Sequence, residues 1–306
     1  MMKHAIITGG TGTIGMALIQ ELIDKNIKTT VILRPKSPRN LHIPKSDLID
    51  IIECNLSELN RTHIPEKADV LYHLAWEGTT GLARNDKELQ EKNIEYTKNA
   101  IDLSMKSGCA TFIYAGSQAE YGRFEGILSS DTPTFPETEY GKAKFAAGMQ
   151  AKKLSESYGI KYIWTRILSI YGPYDGEKTM ISSTINKLQK GEIPDFTACE
   201  QQWDYLYSKD AAYALYLLSI YGKNGEIYPI GSGVVHPLRY YVETIRDIIN
   251  PEAMLNIGTI PYTPQQVMYL CADISNLRRD TNFAAKYSFE EGIKETIAYE
   301  KMKNVK

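Results

Sequence analysis

The chain of 306 residues lacks the features that mark membrane, nucleic-acid-binding and metal-binding proteins. No apolar run approaches the roughly 18 residues that a membrane-spanning helix needs. The formal net charge of −2 argues against a nucleic-acid partner, which usually requires a basic stripe. The first residues lead straight into a strand-like run, so we expect no signal peptide. Cysteine is scarce and has no metal-site spacing, which indicates buried, reduced thiols in a cytoplasmic protein: Cys54, Cys109, Cys199 and Cys271.

A glycine-rich turn near the N-terminus is the first informative motif. Residues 4–7 form a short apolar run typical of a buried strand, and residues 16–23 have helical apolar spacing. Glycines between them allow a tight turn and a close backbone approach to a pyrophosphate, and the helix N-terminus offers N–H groups to it. An ordinary strand-to-helix turn is the alternative, but the context favours a dinucleotide site. Its candidate residues are Gly9, Thr11, Gly12, Thr13, Ile14 and Gly15.

A tyrosine and a lysine four residues apart form the second motif. At helical spacing, Tyr140 and Lys144 point the same way. A free phenol has a pKa near 10, and a neighbouring ammonium favours the phenolate, so we expect Lys144 to lower the pKa of Tyr140. Ser117, which follows a strand-like run, is placed to hydrogen-bond a substrate carbonyl beside the phenol. In a chain with 21 tyrosines, the spacing alone would be compatible with a coincidental surface pair.

In these motifs the sequence resembles the extended short-chain dehydrogenase/reductases, which include nucleotide-sugar epimerases, dehydratases and 4-ketoreductases. The resemblance runs along essentially the whole chain. Its motifs, in chain order, are the glycine loop at 8–15, His73-Leu74-Ala75, Asn93, the serine segment 117–122, Tyr140 with Lys144, and the segments 166–173, 204–210 and 272–293.

The resemblance implies a set of site residues and an assembly. Ser117, Tyr140 and Lys144 correspond to the catalytic residues of the family. Helices around 93–106 and 140–157 pair across a two-fold axis in such proteins, so we expect a homodimer. Further contacts to the cofactor are implied for Asn55, Leu56, Leu74, Ala75, Asn93 and Ala115.

Alternating strand and helix patterns predict an α/β fold with a Rossmann-type doubly wound parallel sheet and a smaller C-terminal substrate-binding lobe. Strand-like runs recur at 29–33, 48–53, 70–74, 111–115 and 162–168, and a helix is predicted over 179–190. We assign residues 1–173 to the cofactor-binding domain, with 204–231 returning to it. Residues 174–203 and 232–306 are assigned to the lobe.

Charge after the second strand bears on the choice of cofactor. Residues 33–39 contain no acid that would bond the ribose hydroxyls of NAD. Arg34, with Lys36 or Arg39 nearby, suits a 2′-phosphate, although a solvated basic loop would have the same sequence. We therefore predict NADP, with NAD as the alternative.

NADP favours net reduction, and the family's reductases act on 4-keto-6-deoxy sugars linked to a nucleoside diphosphate. In this hypothesis Tyr140 donates a proton to the ketone oxygen, Lys144 binds the nicotinamide ribose, and Ser117 hydrogen-bonds the carbonyl. Two alternatives stay open, a nucleotide-sugar epimerase and a cofactor-binding sensor without catalysis. Dehydration is disfavoured because no adjacent Asp-Glu pair follows Ser117.

The substrate side departs from the family pattern. Arginines that often grip a diphosphate are replaced by Trp203 and by the segment 261–267, and a common asparagine is Ser169. Trp76, Trp203 and the tyrosines at 205–207 offer stacking surfaces, but packing is their commoner role. We expect His73 to be structural and no metal to be bound.

Overall fold

The computed structural model describes residues 2–304, and its core is one parallel sheet. Within these residues, seven strands run in the order β3-β2-β1-β4-β5-β7-β12, and every neighbouring pair is parallel. The strands in chain order are β1 His4–Thr8, β2 Lys28–Leu33, β3 Ile49–Glu53, β4 Val70–His73, β5 Thr111–Ser117, β6 Gly126–Leu128, β7 Lys161–Ile167, β8 Ser169–Tyr171, β9 Asp195–Phe196, β10 Gln202–Trp203, β11 Tyr205–Tyr207, β12 Ile227–Ile230, β13 His236–Pro237, β14 Asn256–Ile257 and β15 Tyr269–Ala272.

Helices cover both faces of this sheet. Residues of α1, α5 and α7 pack on one face and residues of α2 and α3 on the other. The helices in chain order are α1 Thr13–Asp24, α2 Lys87–Lys106, α3 Glu139–Tyr158, α4 Met180–Gln189, α5 Ser208–Tyr221, α6 Leu238–Ile249, α7 Ser275–Thr281 and α8 Phe289–Asn304. Short 3₁₀ turns occupy Pro38–His42, Leu56–Arg61, Gly81–Asn85 and Gln118–Glu120. Within residues 2–304, none of the helices is both long and apolar enough to cross a bilayer.

Two apolar layers follow from the alternation of side chains along each strand. Ile7 and Val31 point into a core shared with α1 and α5, whereas Ile6 and Ile32 point into a core shared with α2 and α3. The predicted doubly wound fold is confirmed, and the predicted strands agree with the observed ones to within two residues. The second helix begins earlier than predicted because the Asp86 side chain caps it, accepting a hydrogen bond from the Leu89 N–H.

Smaller elements gather beside the carboxyl ends of the sheet strands. Strands β13, β10, β15 and β6 form a second, mixed sheet, and α4, α6 and α8 pack against one another. β12 joins the main sheet by pairing with β7. The division into a cofactor-binding domain and a lobe remains a prediction, and residues 1, 305 and 306 of its ranges lie outside the described residues.

This topology fixes where a ligand can bind. The chain moves outward from β1 in opposite directions, to β2 on one side and to β4 on the other. Crossover connections therefore leave a crevice at the carboxyl ends of β1 and β4, the usual ligand position in an open parallel sheet.

Candidate active site

Two adjoining cavities form a continuous cleft at this crevice, with Gly9, Gly12, Leu74, Trp76 and Thr79 lining both. The predicted cofactor residues divide between them. One half is lined by Thr11, Arg34, Asn55, Leu56 and Ala75, and the other by Thr13, Ile14, Gly15, Ala115, Ser117, Tyr140 and Lys144. The fold thus gathers residues that are up to 135 positions apart in the sequence, from Gly9 to Lys144.

The glycine turn is shaped by close backbone approaches. Gly9 has a φ of +77°, and a Cβ there would lie 2.6 Å from the backbone nitrogen of Ala75. A Cβ on Gly15 would overlap the carbonyl oxygen of Gly9. Gly12 caps α1 without any side-chain hydrogen bond to the first turn. The resulting cradle, at a helix N-terminus, fits a dinucleotide pyrophosphate.

The loop after β2 carries two arginines into the other half of the cleft. Arg34 and Arg39 line it together with Ser37 and Asn40, whereas Lys36 does not. The Asn40 side chain holds the loop, because its Nδ2 donates to the Arg34 carbonyl at 3.0 Å and to Glu53 Oε1 at 3.2 Å. The Arg34 side chain is exposed, so both its charge and its reach are available to a ligand.

Ser117 lies at the end of β5 in a capping box. Its Oγ accepts a hydrogen bond from the Ala119 N–H at 3.2 Å, and its own N–H donates to Glu120 Oε1 at 2.8 Å. Glu120 is fully buried and pairs with Arg166 Nε at 3.0 Å. Sequence reasoning gave Glu120 no such role, although the Ser-x-x-Glu spacing is a recognisable capping signal. The ion pair therefore fixes the backbone that presents Ser117.

Tyr140 and Lys144 lie in the first turns of α3. The helix begins where the Thr138 hydroxyl accepts a hydrogen bond from the Gly141 N–H. Lys144 Nζ donates to the Ala115 carbonyl at 2.7 Å and lies 3.8 Å from the ring centroid of Trp76. Both side chains are buried, and both line one cavity together with Ser117.

The expected lowering of the Tyr140 pKa is wrong for this structure. Burial raises the pKa of Tyr140 above its ordinary value, while the Ser117 hydroxyl and the Arg84 charge oppose the rise. Burial lowers the pKa of Lys144, and the Glu120 carboxylate opposes that shift. Desolvation outweighs the neighbouring charges because both groups are enclosed. The phenol is therefore protonated at neutral pH and fit to donate.

His73 is held as a structural group. One ring nitrogen contacts the Thr8 hydroxyl at 2.8 Å and the other contacts the Thr97 hydroxyl at 3.3 Å. Burial lowers the pKa of His73 to about 3, with the Lys144 charge adding to the effect. A neutral imidazole between two hydroxyls ties β1, β4 and α2 together, in line with the expected structural role.

Asn93 is the one predicted cofactor residue that does not line the cleft. Its Oδ1 accepts from the Glu77 N–H at 2.8 Å, and its Nδ2 donates to the Glu77 and Leu89 carbonyls. Asn93 therefore holds the backbone of Glu77, which follows β4 and is the neighbour of the cleft-lining residue Trp76.

On the substrate side, two of the departures from the family pattern bond to each other. Trp203 Nε1 donates to Ser169 Oγ at 2.8 Å. In the segment 261–267, the Tyr262 hydroxyl donates to Gln201 Oε1 at 3.0 Å. Tyr205 packs edge-on against Tyr241 and belongs to an aromatic core. These aromatic side chains are thus engaged within the protein, whereas Trp76 faces the cleft.

Two named relatives match nearly the whole chain. The chain is 24% identical to the dTDP-glucose 4,6-dehydratase of Neisseria meningitidis, over 97% of this chain and 93% of that protein. It is 25% identical to the dTDP-4-dehydro-6-deoxyglucose reductase of Escherichia coli, over 95% of this chain and 96% of that protein.

A solved structure shares the fold. The UDP-N-acetylglucosamine 4-epimerase of Methanobrevibacter ruminantium, in complex with UDP-N-acetylmuramic acid, superposes with a TM-score of 0.88 at 24% identity. The match covers 98% of this chain and 99% of that one. The family model described as "NAD dependent epimerase/dehydratase family" matches residues 5–231, which is well over half of the chain. The chain is therefore an enzyme of the NAD dependent epimerase/dehydratase family.

Proposed function

We propose that this enzyme uses NADPH to reduce the ketone of a nucleotide-linked 4-keto-6-deoxy sugar, with Tyr140 as the proton donor. The observation that favours the reductase is the pair of exposed arginines, Arg34 and Arg39, in the half of the cleft that Asn55 and Leu56 also line. The proton donor is a buried phenol that lines the same cavity as Ser117 and the glycine turn, and burial keeps it protonated. A group that must donate a proton at neutral pH needs this protonation state.

The residues present fit a nicotinamide dinucleotide. The glycine cradle at Gly9 and Gly15 would hold its pyrophosphate, and Arg34 with Arg39 would face its adenosine ribose. When bound, the cofactor supplies or accepts a hydride at the substrate carbon. Two exposed arginines at the ribose end favour a 2′-phosphate and hence NADPH.

Side chains of the protein would then hydrogen-bond and protonate the carbonyl oxygen of the substrate. Ser117 Oγ accepts from the Ala119 N–H, and its hydroxyl would donate to the carbonyl of the substrate. Tyr140 gives up its proton as negative charge develops on the same oxygen. One N–H of Lys144 donates to the Ala115 carbonyl, and the other N–H groups would bind the nicotinamide ribose.

An epimerase acting on a nucleotide sugar is the second candidate. It is supported by the superposition on an epimerase that is solved with a nucleotide sugar. The reductase is supported by the Escherichia coli relative and by the basic loop. An epimerase recycles its cofactor within one turnover, whereas a reductase releases it.

Mass spectrometry of the purified protein for retained cofactor tests this choice. Without retained NAD, the reductase should oxidise NADPH when offered a panel of nucleotide-linked 4-keto-6-deoxy sugars, followed by the loss of NADPH absorbance. Tightly retained NAD, together with interconversion of a sugar epimer pair and no net NADPH oxidation, would replace the reductase with the epimerase.

A further inference from the structure

A second cation lies against Tyr140, on the segment of residues 76–85 that joins β4 to α2. The Arg84 guanidinium carbon lies 4.3 Å from the ring centroid of Tyr140, whereas Lys144 Nζ lies 5.9 Å from it. Trp76, from the same segment, meets Tyr140 edge-on with ring centroids 6.0 Å apart. Arg84 and Tyr140 line the same cavity. The family motifs of the sequence do not include Arg84.

The position of Arg84 is fixed by hydrogen bonds within the segment and to α2. Its Nη1 donates to the Thr79 carbonyl at 3.1 Å. Gln90, buried in α2, donates to the Gly78 carbonyl at 2.8 Å and to the Ala83 carbonyl at 2.9 Å. The same Gln90 side chain accepts from Trp76 Nε1 at 2.8 Å. One buried amide thus holds both ends of the segment over the phenol.

The charged side chains around Tyr140 differ in how strongly other groups of the protein bind them. Glu120 is committed to Arg166, and Lys144 to the Ala115 carbonyl and the face of Trp76. Arg84 is half-buried, and its guanidinium lies over the ring of Tyr140. The positive guanidinium is attracted to the negative face of the ring, and this attraction grows when the phenol becomes a phenolate.

We propose that Arg84 is a positioning residue that stabilises the ionised form of Tyr140 as the phenol gives up its proton. The O–H bond of Tyr140 breaks, the proton moves to the carbonyl oxygen of the substrate, and the positive charge of the Arg84 guanidinium stabilises the negative charge left on the phenolate. This inference rests on the proposed function, since it takes Tyr140 as the proton donor.

The direct test measures the ionisation of Tyr140 without substrate. Tyrosine labelled with ¹³C at Cζ gives a resonance for Tyr140 that is assigned by its absence in Tyr140→Phe. At one fixed alkaline pH, the ionised fraction should fall about 3- to 10-fold in the neutral variants Arg84→Gln and Arg84→Met. Arg84→Lys should keep most of the wild-type ionised fraction. Arg278 is an exposed arginine on α7, and the control variant Arg278→Gln should keep the full ionised fraction.

Turnover separates this inference from the proposed function. The neutral variants should lose kcat with little change in KM, and the alkaline limb of their pH profile should shift to higher pH. Arg84→Lys should have nearly the kcat and the pH profile of the wild type. If Tyr140→Phe loses turnover but the neutral variants match the wild type in ionised fraction and kcat, the inference alone fails. If Tyr140→Phe keeps turnover, the proposed function fails whatever Arg84 does to the phenol.

Discussion

Replacing Tyr140 by phenylalanine removes one oxygen atom and leaves the rest of the site in place. The ring keeps its edge contact with Trp76 and its stacking under Arg84. Tyr140 lines the cleft together with Ser117, whose hydroxyl is a hydrogen-bond partner of the phenol. We therefore expect the free energy of unfolding to change by less than about 1 kcal/mol. Cofactor affinity should also be retained.

The rate should change far more than the stability. A positioned general acid contributes about 10²–10⁴ in rate, which corresponds to about 3–5 kcal/mol of transition-state stabilisation. Because burial raises the pKa of Tyr140, ionisation of the phenol should slow reduction only in the alkaline range. Turnover is measured by NADPH absorbance and cofactor affinity by titration calorimetry.

Lys144→Met provides the contrast to Tyr140→Phe. Lys144 serves both the phenol and, in the proposal, the ribose, so its loss should reduce turnover and cofactor affinity together. The Ala115 carbonyl also loses its hydrogen bond from Nζ. Wild-type turnover in Tyr140→Phe would refute the assignment of the acid. Unchanged cofactor affinity in Lys144→Met would refute the ribose contact.

Three further outcomes are expected. Arg34→Asp should weaken NADPH binding by about 2–4 kcal/mol and NADH binding far less, whereas equal losses by calorimetry would remove Arg34 from the 2′-phosphate. Burial raises the pKa of Asp175 to about 6, above its ordinary 3.8, so native stability falls as pH rises from about 4 to 6. Asp175→Asn should abolish that fall and raise the free energy of unfolding, measured in urea at pH 7, by about 3 kcal/mol, and an unchanged pH dependence in the variant would contradict this. A homodimer through α2 and α3, which leave Met105 and Met149 exposed, should give twice the monomer mass of 34.5 kDa by light scattering, and a monomeric mass at micromolar concentration would contradict it.

The predictable part of this structure is the part that local sequence determines. The strands of the sheet follow from short apolar runs, and the glycine turn follows from the spacing of Gly9, Gly12 and Gly15 between a strand and a helix. Helical spacing placed Tyr140 and Lys144 together because a helix imposes that geometry wherever it forms.

Contacts between residues that lie far apart in the sequence could not be predicted from it. Glu120 and Arg166 are 46 positions apart, and the local signal gives only the bond from Glu120 to the Ser117 backbone. The position of Arg84 depends on a segment without helical or strand periodicity, held by Gln90. The pKa of Tyr140 was misjudged because the charge of a neighbour is visible in a sequence, whereas the degree of burial is not.

Reduction and epimerisation would use the same Ser117, Tyr140 and Lys144, so these residues cannot decide between them. The difference lies in how long the cofactor stays, and that depends on the ribose end of the cleft. Arg34 and Arg39 are exposed there, on a loop held to the sheet by Asn40. Attraction from exposed charges weakens as salt screens it, over a Debye length of about 8 Å at physiological ionic strength. In the proposed reductase, a cofactor held in this way would exchange with solution, as net reduction requires.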